Sequence, residues 1–243
     1  MTLMRDYYKN QLTQHGQRIY EALLNNINKL ALDGAVVLHG FYSGQSLSDA
    51  ADAYIALRDD RPEFYFLDNK VEVILSFPGI LKIKQDKRFT FTQIKRINTL
   101  LRKEIKNILE NCRDSDVLGR EKKIYTHIAS SYKYREGELS HDLSGLIVYK
   151  EGVCEAIAGL LVIALREAGI PAIKVHGRAR NENHCWTKVW IKGQPYHLDV
   201  TWDLSSHKAF ALYRYFNVTE NVILRDHRID EPRKSGVKYS QYV

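Results

Sequence analysis

Three cysteines are the first candidates for chemistry in this sequence: Cys112, Cys154 and Cys185. They contain no C-x-x-C pair, so the spacing predicts neither a zinc site nor a disulfide framework. Cys154 stands apart because an apolar run of helical period, 155–168, follows it and ends at Gly169. The free N–H groups and dipole of a helix start stabilise a thiolate. The pattern favours Cys154 as a nucleophile, with a buried apolar thiol as the alternative.

A histidine and an aspartate that could serve this thiol fall on two predicted strands. The runs 183–191 and 196–203 are rich in aromatic and β-branched residues, with turn-forming residues between them. If that turn has two or four residues, His184 and Asp199 point to the same side of the hairpin; a three-residue turn would separate them. On one side, Asp199 can orient the imidazole and stabilise its protonated form. The alternatives are a half-buried structural histidine and an aspartate that bonds a turn.

Three motifs in chain order resemble the transglutaminase-like superfamily. They are G-V-C-E-A-I-A-G-L-L at Cys154, G-R-A-R-N-E-N-H-C-W at His184, and P-Y-H-L-D-V-T-W-D at Asp199. With weaker upstream motifs, the resemblance covers roughly residues 50–205. It implies a papain-like α+β fold whose nucleophile helix packs on an antiparallel sheet, with Cys154 as nucleophile, His184 as general base and Asp199 as orienting acid.

The resemblance also implies an acyl-transfer enzyme that acts on a protein or peptide substrate through a thioester, as a protease, deamidase or cross-linking enzyme. The backbone N–H of Cys154 would stabilise the oxyanion. A second donor is expected from the 141–146 loop, with His141 and Ser144 as candidates, and Trp186 either walls the substrate channel or fills the core. Ala156-Ile157-Ala158 replaces the family's Gly-Tyr-Ala, so substrate preference is not carried over. A non-catalytic module that binds peptides or cell-envelope polymers is the rival function.

The organisation predicted for the chain is a mainly helical region, 1–115, packed on a catalytic core, 116–243. The predicted helices fall near 20–31, 48–57, 94–108 and 116–132, and the predicted strands of a short hairpin fall near 71–75 and 80–83. The sequence contains no internal repeat and no long flexible linker.

The net charge of +7 raises the question of an anionic partner. The basic residues are spread along amphipathic elements, so we expect solvated faces and no nucleic-acid partner. No calcium-type acidic loop is present, so we expect no metal and no cofactor. Apolar runs are too short to span a bilayer and no signal-peptide core is visible, which predicts a cytoplasmic protein, or a secreted one if a leader has been removed. The sequence leaves the oligomeric state open.

Overall fold

The computed structural model describes residues 4–40, 42–76, 79–113, 116–205, 213–230 and 237–242, with backbone only for 205 and 237–242. The chain divides into two compact units. The central unit comprises Met1–Arg5 and Arg96–Glu231, and the N-terminal unit comprises Asp6–Lys95 and Pro232–Val243. The predicted boundary after residue 115 therefore lies inside the central unit, and the chain's C-terminal residues belong with the N-terminal unit. That the two regions pack on each other stays a prediction.

Helices and strands are interspersed along the described residues. The α-helices are α1 (Gln14–Asn25), α2 (Ile27–Asp33), α3 (Gly44–Asp60), α4 (Phe91–Glu110), α5 (Val117–Ser131), α6 (Leu143–Tyr149), α7 (Cys154–Glu167), α8 (Val200–Ser205) and α9 (Glu220–Ile223). The strands are β1 (Ala35–His39), β2 (Val71–Ser76), β3 (Ile80–Lys84), β4 (Lys133–Tyr134), β5 (Glu151–Gly152), β6 (Ala172–Ala179), β7 (Glu182–Ile191), β8 (Gln194–Leu198), β9 (His227–Ile229) and β10 (Val237–Tyr242). No described helix combines the length and hydropathy needed to cross a bilayer.

The N-terminal unit contains the predicted hairpin within a wider sheet. Strands β2 and β3 pair antiparallel, as the turn-forming residues between them predict. β1 joins β3 antiparallel and β10 joins β2 in parallel, which gives the order β1-β3-β2-β10. β1 and β10 were not predicted, and β10 pairs with a strand far from it in sequence. Helices α1 and α3 pack together through buried side chains such as Tyr20 and Tyr54.

The central unit holds a four-stranded antiparallel sheet of order β8-β7-β6-β9. Helix α7 packs on β6 and β7, and α5 and α6 pack on α7. Every residue of α7 from Ala156 to Arg166 is buried, as expected of a helix that is apolar on most of its circumference. The predicted α+β class, with the cysteine helix on an antiparallel sheet, is confirmed.

The hairpin of β7 and β8 closes with a two-residue turn. Lys192 and Gly193 have φ angles of 51° and 82°, as a type I′ turn requires, and Thr187 pairs with Leu198. This is one of the two turn lengths for which His184 and Asp199 were expected on the same side of the hairpin. The prediction that the second strand runs to residue 203 is wrong, because β8 ends at Leu198 and α8 follows. The side chain of Asp199 accepts the backbone N–H of Trp202 at 3.2 Å, which is how a helix N-cap residue starts a helix.

Candidate active site

Cys154 is the first residue of α7, and its side chain is partly exposed. The segment before it is held on both sides, since the Val153 N–H donates to the Ser140 carbonyl at 2.9 Å and the Arg135 N–H donates to the Gly152 carbonyl at 3.1 Å. A Cβ atom on Gly152 would lie 3.0 Å from the Ser140 oxygen, so a side chain there would crowd this contact. The glycine before the cysteine helix therefore lets the 140 loop pack close to the helix start.

His184 lies on β7 with its ring almost completely buried. Its Nε2 is 2.7 Å from Oδ2 of Asp199, which leaves Nδ1 as the other ring nitrogen available to the Cys154 thiol. Burial by itself lowers the pKa of His184, but hydrogen bonds with Asp199 and Cys154 and their negative charges outweigh it and raise the pKa to about 10. At neutral pH the His184 ring is therefore protonated, with Asp199 and Cys154 as its neighbours.

Asp199 receives four hydrogen bonds although its side chain is only 1% exposed. Oδ2 is 2.7 Å from His184 Nε2 and 3.0 Å from His227 Nε2, and Oδ1 accepts from the Thr201 hydroxyl at 2.6 Å and the Trp202 N–H at 3.2 Å. Burial favours the neutral acid, yet the hydrogen bonds from both histidines hold the pKa of Asp199 well below its ordinary value. The carboxylate is therefore an ionised and rigidly held acceptor.

The chain's likeness to known proteins agrees with this arrangement. Residues 102–200 match the model of the transglutaminase-like superfamily. These residues form a transglutaminase-like core. The matched segment contains Cys154, His184 and Asp199 together with the helix and the hairpin that carry them. The resemblance seen in the three motifs is thereby confirmed for this part of the chain.

Solved structures similar to this chain include transglutaminase-like proteins. One described as a TGase has 15% identity and a TM-score of 0.42, and the match covers 53% of this chain and 42% of that one. A candidate cysteine protease from Cytophaga hutchinsonii has 18% identity and a TM-score of 0.37, with 54% and 61% covered. The periplasmic domain of TgpA from Pseudomonas aeruginosa, bound to ethylmercury, has 16% identity and a TM-score of 0.33, with 51% and 55% covered. The chain thus spans less than two thirds of each. No curated protein matches the sequence significantly.

The structure also places the three other predicted site residues, Trp186, Ser144 and His141. Trp186 is buried behind His184, with near-parallel rings 5.9 Å apart, and its indole N–H donates to Nδ1 of His197 at 2.9 Å. Ser144 is buried in α6 with no partner for its hydroxyl among the described residues. His141 is 60% exposed and lies 3.8 Å from Glu136. Within the described segments, neither Ser144 nor His141 forms a hydrogen bond with Cys154, so their role as oxyanion donors stays a prediction.

Two residues near Cys154, His184 and Asp199 were not predicted. His227 contacts Asp199 from β9, and only the adjacent acid–histidine pair Asp226-His227 hints at it in the sequence. Tyr134 is half exposed on β4, which pairs with β5 just before Cys154. Burial, followed by the negative charge of Cys154, raises the pKa of Tyr134 to about 12. No pattern in the sequence marks Tyr134 as a neighbour of the thiol.

His184, Asp199 and His227 also have the residue types of a metal site. Their ligand atoms lie within 4.8 Å of one another, the single such group found among the described residues. The two nitrogen–oxygen distances of 2.7 and 3.0 Å are those of hydrogen bonds, whereas ligands of tetrahedral zinc lie about 3.3 Å apart. The spacing therefore fits shared protons better than a shared zinc ion.

Proposed function

We propose that this protein is a thiol-dependent acyl-transfer enzyme that acts on peptide or carboxamide bonds, with Cys154, His184 and Asp199 as its catalytic residues. The observation that carries the proposal is the position of His184. One ring nitrogen is bonded to a buried carboxylate, and the charge of Cys154 helps to raise the pKa of the ring to about 10. A protonated imidazole beside a thiol at a helix start favours the thiolate form.

In the first half of the reaction, the Cys154 thiolate attacks the substrate carbonyl carbon. A C–S bond forms while the carbonyl π electrons move to oxygen, where the backbone N–H of Cys154 can donate, since the first N–H groups of a helix have no partner within it. The C–N bond then breaks. The leaving nitrogen takes the proton of His184, departs as amine or ammonia, and leaves a thioester.

In the second half, His184 acts as a base. It takes a proton from water as the water oxygen attacks the thioester carbon, and the C–S bond breaks to restore the thiolate and release a carboxylic acid. If a primary amine attacks instead, the product is a new amide. Asp199 keeps the imidazole oriented through both halves. Because both outcomes share one thioester, hydrolysis and cross-linking differ only in which nucleophile reaches it.

Alkylation of the thiols tests the proposal directly. Iodoacetamide should modify Cys154 well below about pH 8, while Cys112 and Cys185, which are buried, serve as internal controls in peptide mass spectrometry. His184→Ala should remove the low-pH reactivity of Cys154. Asp199→Asn should reduce it and lower the pH at which His184 loses its proton, because the carboxylate charge that stabilises the imidazolium is gone.

The result against the proposal is a Cys154 that reacts only as fast as an ordinary exposed thiol and is indifferent to His184→Ala. That outcome would favour the non-catalytic module. Where Cys154 is activated, a peptide-amide electrophile should leave a thioester adduct that mass spectrometry detects. Offering that adduct water or a primary amine in parallel then tells whether hydrolysis or amine transfer is faster.

A further inference from the structure

His227 is the group at this site that the reaction above does not use. Its side chain is fully buried. Its ring is enclosed by aromatic side chains, with centroids 4.5 Å from Trp202, 5.0 Å from Trp186 and 5.5 Å from Tyr215. Burying an imidazole costs free energy unless its polar atoms are bonded, so its hydrogen bonds are the feature to explain.

Both ring nitrogens of His227 face carboxylate oxygens. Nδ1 is 2.7 Å from Oδ1 of Asp226, and Nε2 is 3.0 Å from Oδ2 of Asp199. Each contact needs one proton between nitrogen and oxygen. The Tyr215 hydroxyl donates to the other oxygen of Asp226 at 2.6 Å. The result is a second imidazole–carboxylate pair directly behind Asp199.

The close approach of strands β6 and β9 positions His227 and Asp226. Strand β9 pairs with β6, where Gly177 lies opposite Ile229. A Cβ atom on Gly177 would lie 2.0 Å from the carbonyl oxygen of Arg228, a distance that no side chain tolerates. Only glycine at this position lets β9 approach closely enough to place His227 against Asp199.

We propose that His227, held by Asp226, is a positioning residue that shares Oδ2 of Asp199 with His184 and thereby limits how tightly Asp199 holds the proton of His184. The inference rests on the proposed function, in which His184 must give that proton to the leaving nitrogen and later take one from water. Two donors on one oxygen divide its negative charge, so each is bonded less strongly than a single donor would be. An imidazolium held too tightly is a poor general acid.

The charged and titratable groups around the His227 ring come from several elements. They are His184 of β7, His197 of β8, Asp199 before α8, and Tyr215 and Asp226 before β9. The guanidinium of Arg180, after β6, lies over the neighbouring Trp202 ring. Burial lowers the pKa of His197 to about 4, so that ring stays neutral above about pH 5. His184 is therefore the neighbour whose titration reports on the sharing of Asp199.

The test follows the titration of His184 by NMR of ¹³C-labelled histidine in the full-length Cys154→Ala protein. This background contains no nucleophile, so the measurement does not depend on acyl transfer. His227→Phe fills the aromatic enclosure without a donor, and His227→Gln retains one amide N–H for Asp199. Ile223→Ala is the matched control, because it removes a fully buried side chain from the helix before β9 that makes no hydrogen bond.

The titration midpoint of His184 should rise by on the order of one pH unit in His227→Phe, rise less in His227→Gln, and stay unchanged in Ile223→Ala. An unchanged or lowered midpoint in a folded His227→Phe protein would overturn the proposal and leave His227 as a packing residue. If His227→Phe does not fold, His227→Gln decides by the same criterion. An unchanged His184 midpoint would not alter the alkylation result for Cys154. An unreactive Cys154 would not prevent the titration of His184 from being measured. The two experiments therefore test the two proposals independently.

Discussion

Glu121 offers a quantitative test of how a buried carboxyl group affects the stability of the central unit. The side chain lies on α5 and is fully buried. Its Oε2 accepts the side-chain N–H of Asn217 at 2.7 Å, while its Oε1 and the Asn217 Oδ1 have no hydrogen-bond partner among the described residues. Burial raises the pKa of Glu121 from 4.5 to about 7, although the Asn217 hydrogen bond acts in the opposite direction. The folded protein thus prefers the protonated side chain.

This preference makes stability fall as the pH rises. The folded state holds the Glu121 proton up to about pH 7, whereas the unfolded chain releases it near pH 4.5, so folding is penalised progressively between these values and fully above them. One pKa unit corresponds to about 1.4 kcal/mol, so the full penalty is about 3 kcal/mol. Glu121→Gln resembles the protonated side chain and supplies a donor in place of Oε1. It should be no more stable than wild type near pH 4.5 and up to about 3 kcal/mol more stable at pH 8.

Denaturant unfolding at pH 5 and pH 8, followed by tryptophan fluorescence, measures this difference. All three tryptophans, Trp186, Trp190 and Trp202, lie in the central unit, so the signal reports on the unit that contains Glu121. Equal pH dependence in wild type and Glu121→Gln would refute the reasoning, because it would mean that the native side chain titrates as the unfolded one does.

Glu104 is the matched control for that measurement, and two further predictions concern the site. Hydrogen bonds from His127, Lys150 and Tyr132 outweigh burial and lower the pKa of Glu104 to about 2, so Glu104→Gln should lose stability at pH 8, a loss that shrinks as the pH falls below 4.5 towards 2. Gly177→Ala should lower the unfolding free energy by about 1–3 kcal/mol in the same assay, because β9 must move to make room for the new Cβ. Gly137→Ala is the control and should cost far less, because a Cβ there meets nothing within 4 Å. Equal losses in the two variants would contradict the close approach of β9 to Gly177. Tyr134 is half exposed near Cys154 and is therefore a candidate contact for the substrate. Tyr134→Ala should then reduce kcat/KM for a peptide substrate roughly 2- to 10-fold through the loss of one aromatic contact, and unchanged kinetics would mean that Tyr134 does not contact the substrate.

Local features of the central unit could be predicted from the sequence because neighbouring residues determine them. The extent of α7 follows from a long apolar run of helical period and from Gly169, whose φ of 80° is the left-handed conformation common just after a helix end. The turn-forming residues between the two strands predicted a hairpin but left the turn length open, and the two-residue turn at Lys192-Gly193 decides that His184 and Asp199 lie on the same side. Each inference needs only the period and the turn chemistry of a short segment.

The sequence pattern predicted the end of β8 wrongly. Val200, Thr201 and Trp202 have side chains typical of strands, and their alternation continues that of β8. In the fold, Asp199 accepts the Trp202 N–H and the chain enters a helical turn. The Asp199 cap therefore marks where the helix begins, and the weak strand preference of the following residues did not predict it.

What the sequence by itself determined is the order of the segments that carry Cys154, His184 and Asp199, together with the cysteine helix and the strand of His184. Only the tertiary structure decided which groups come from elsewhere to meet them. His227 lies 28 residues after Asp199, yet its ring shares an oxygen with His184, and β10 returns to pair with β2 from the far end of the chain. Such contacts depend on which elements bury each other's surfaces, and no periodicity within a short segment encodes that choice.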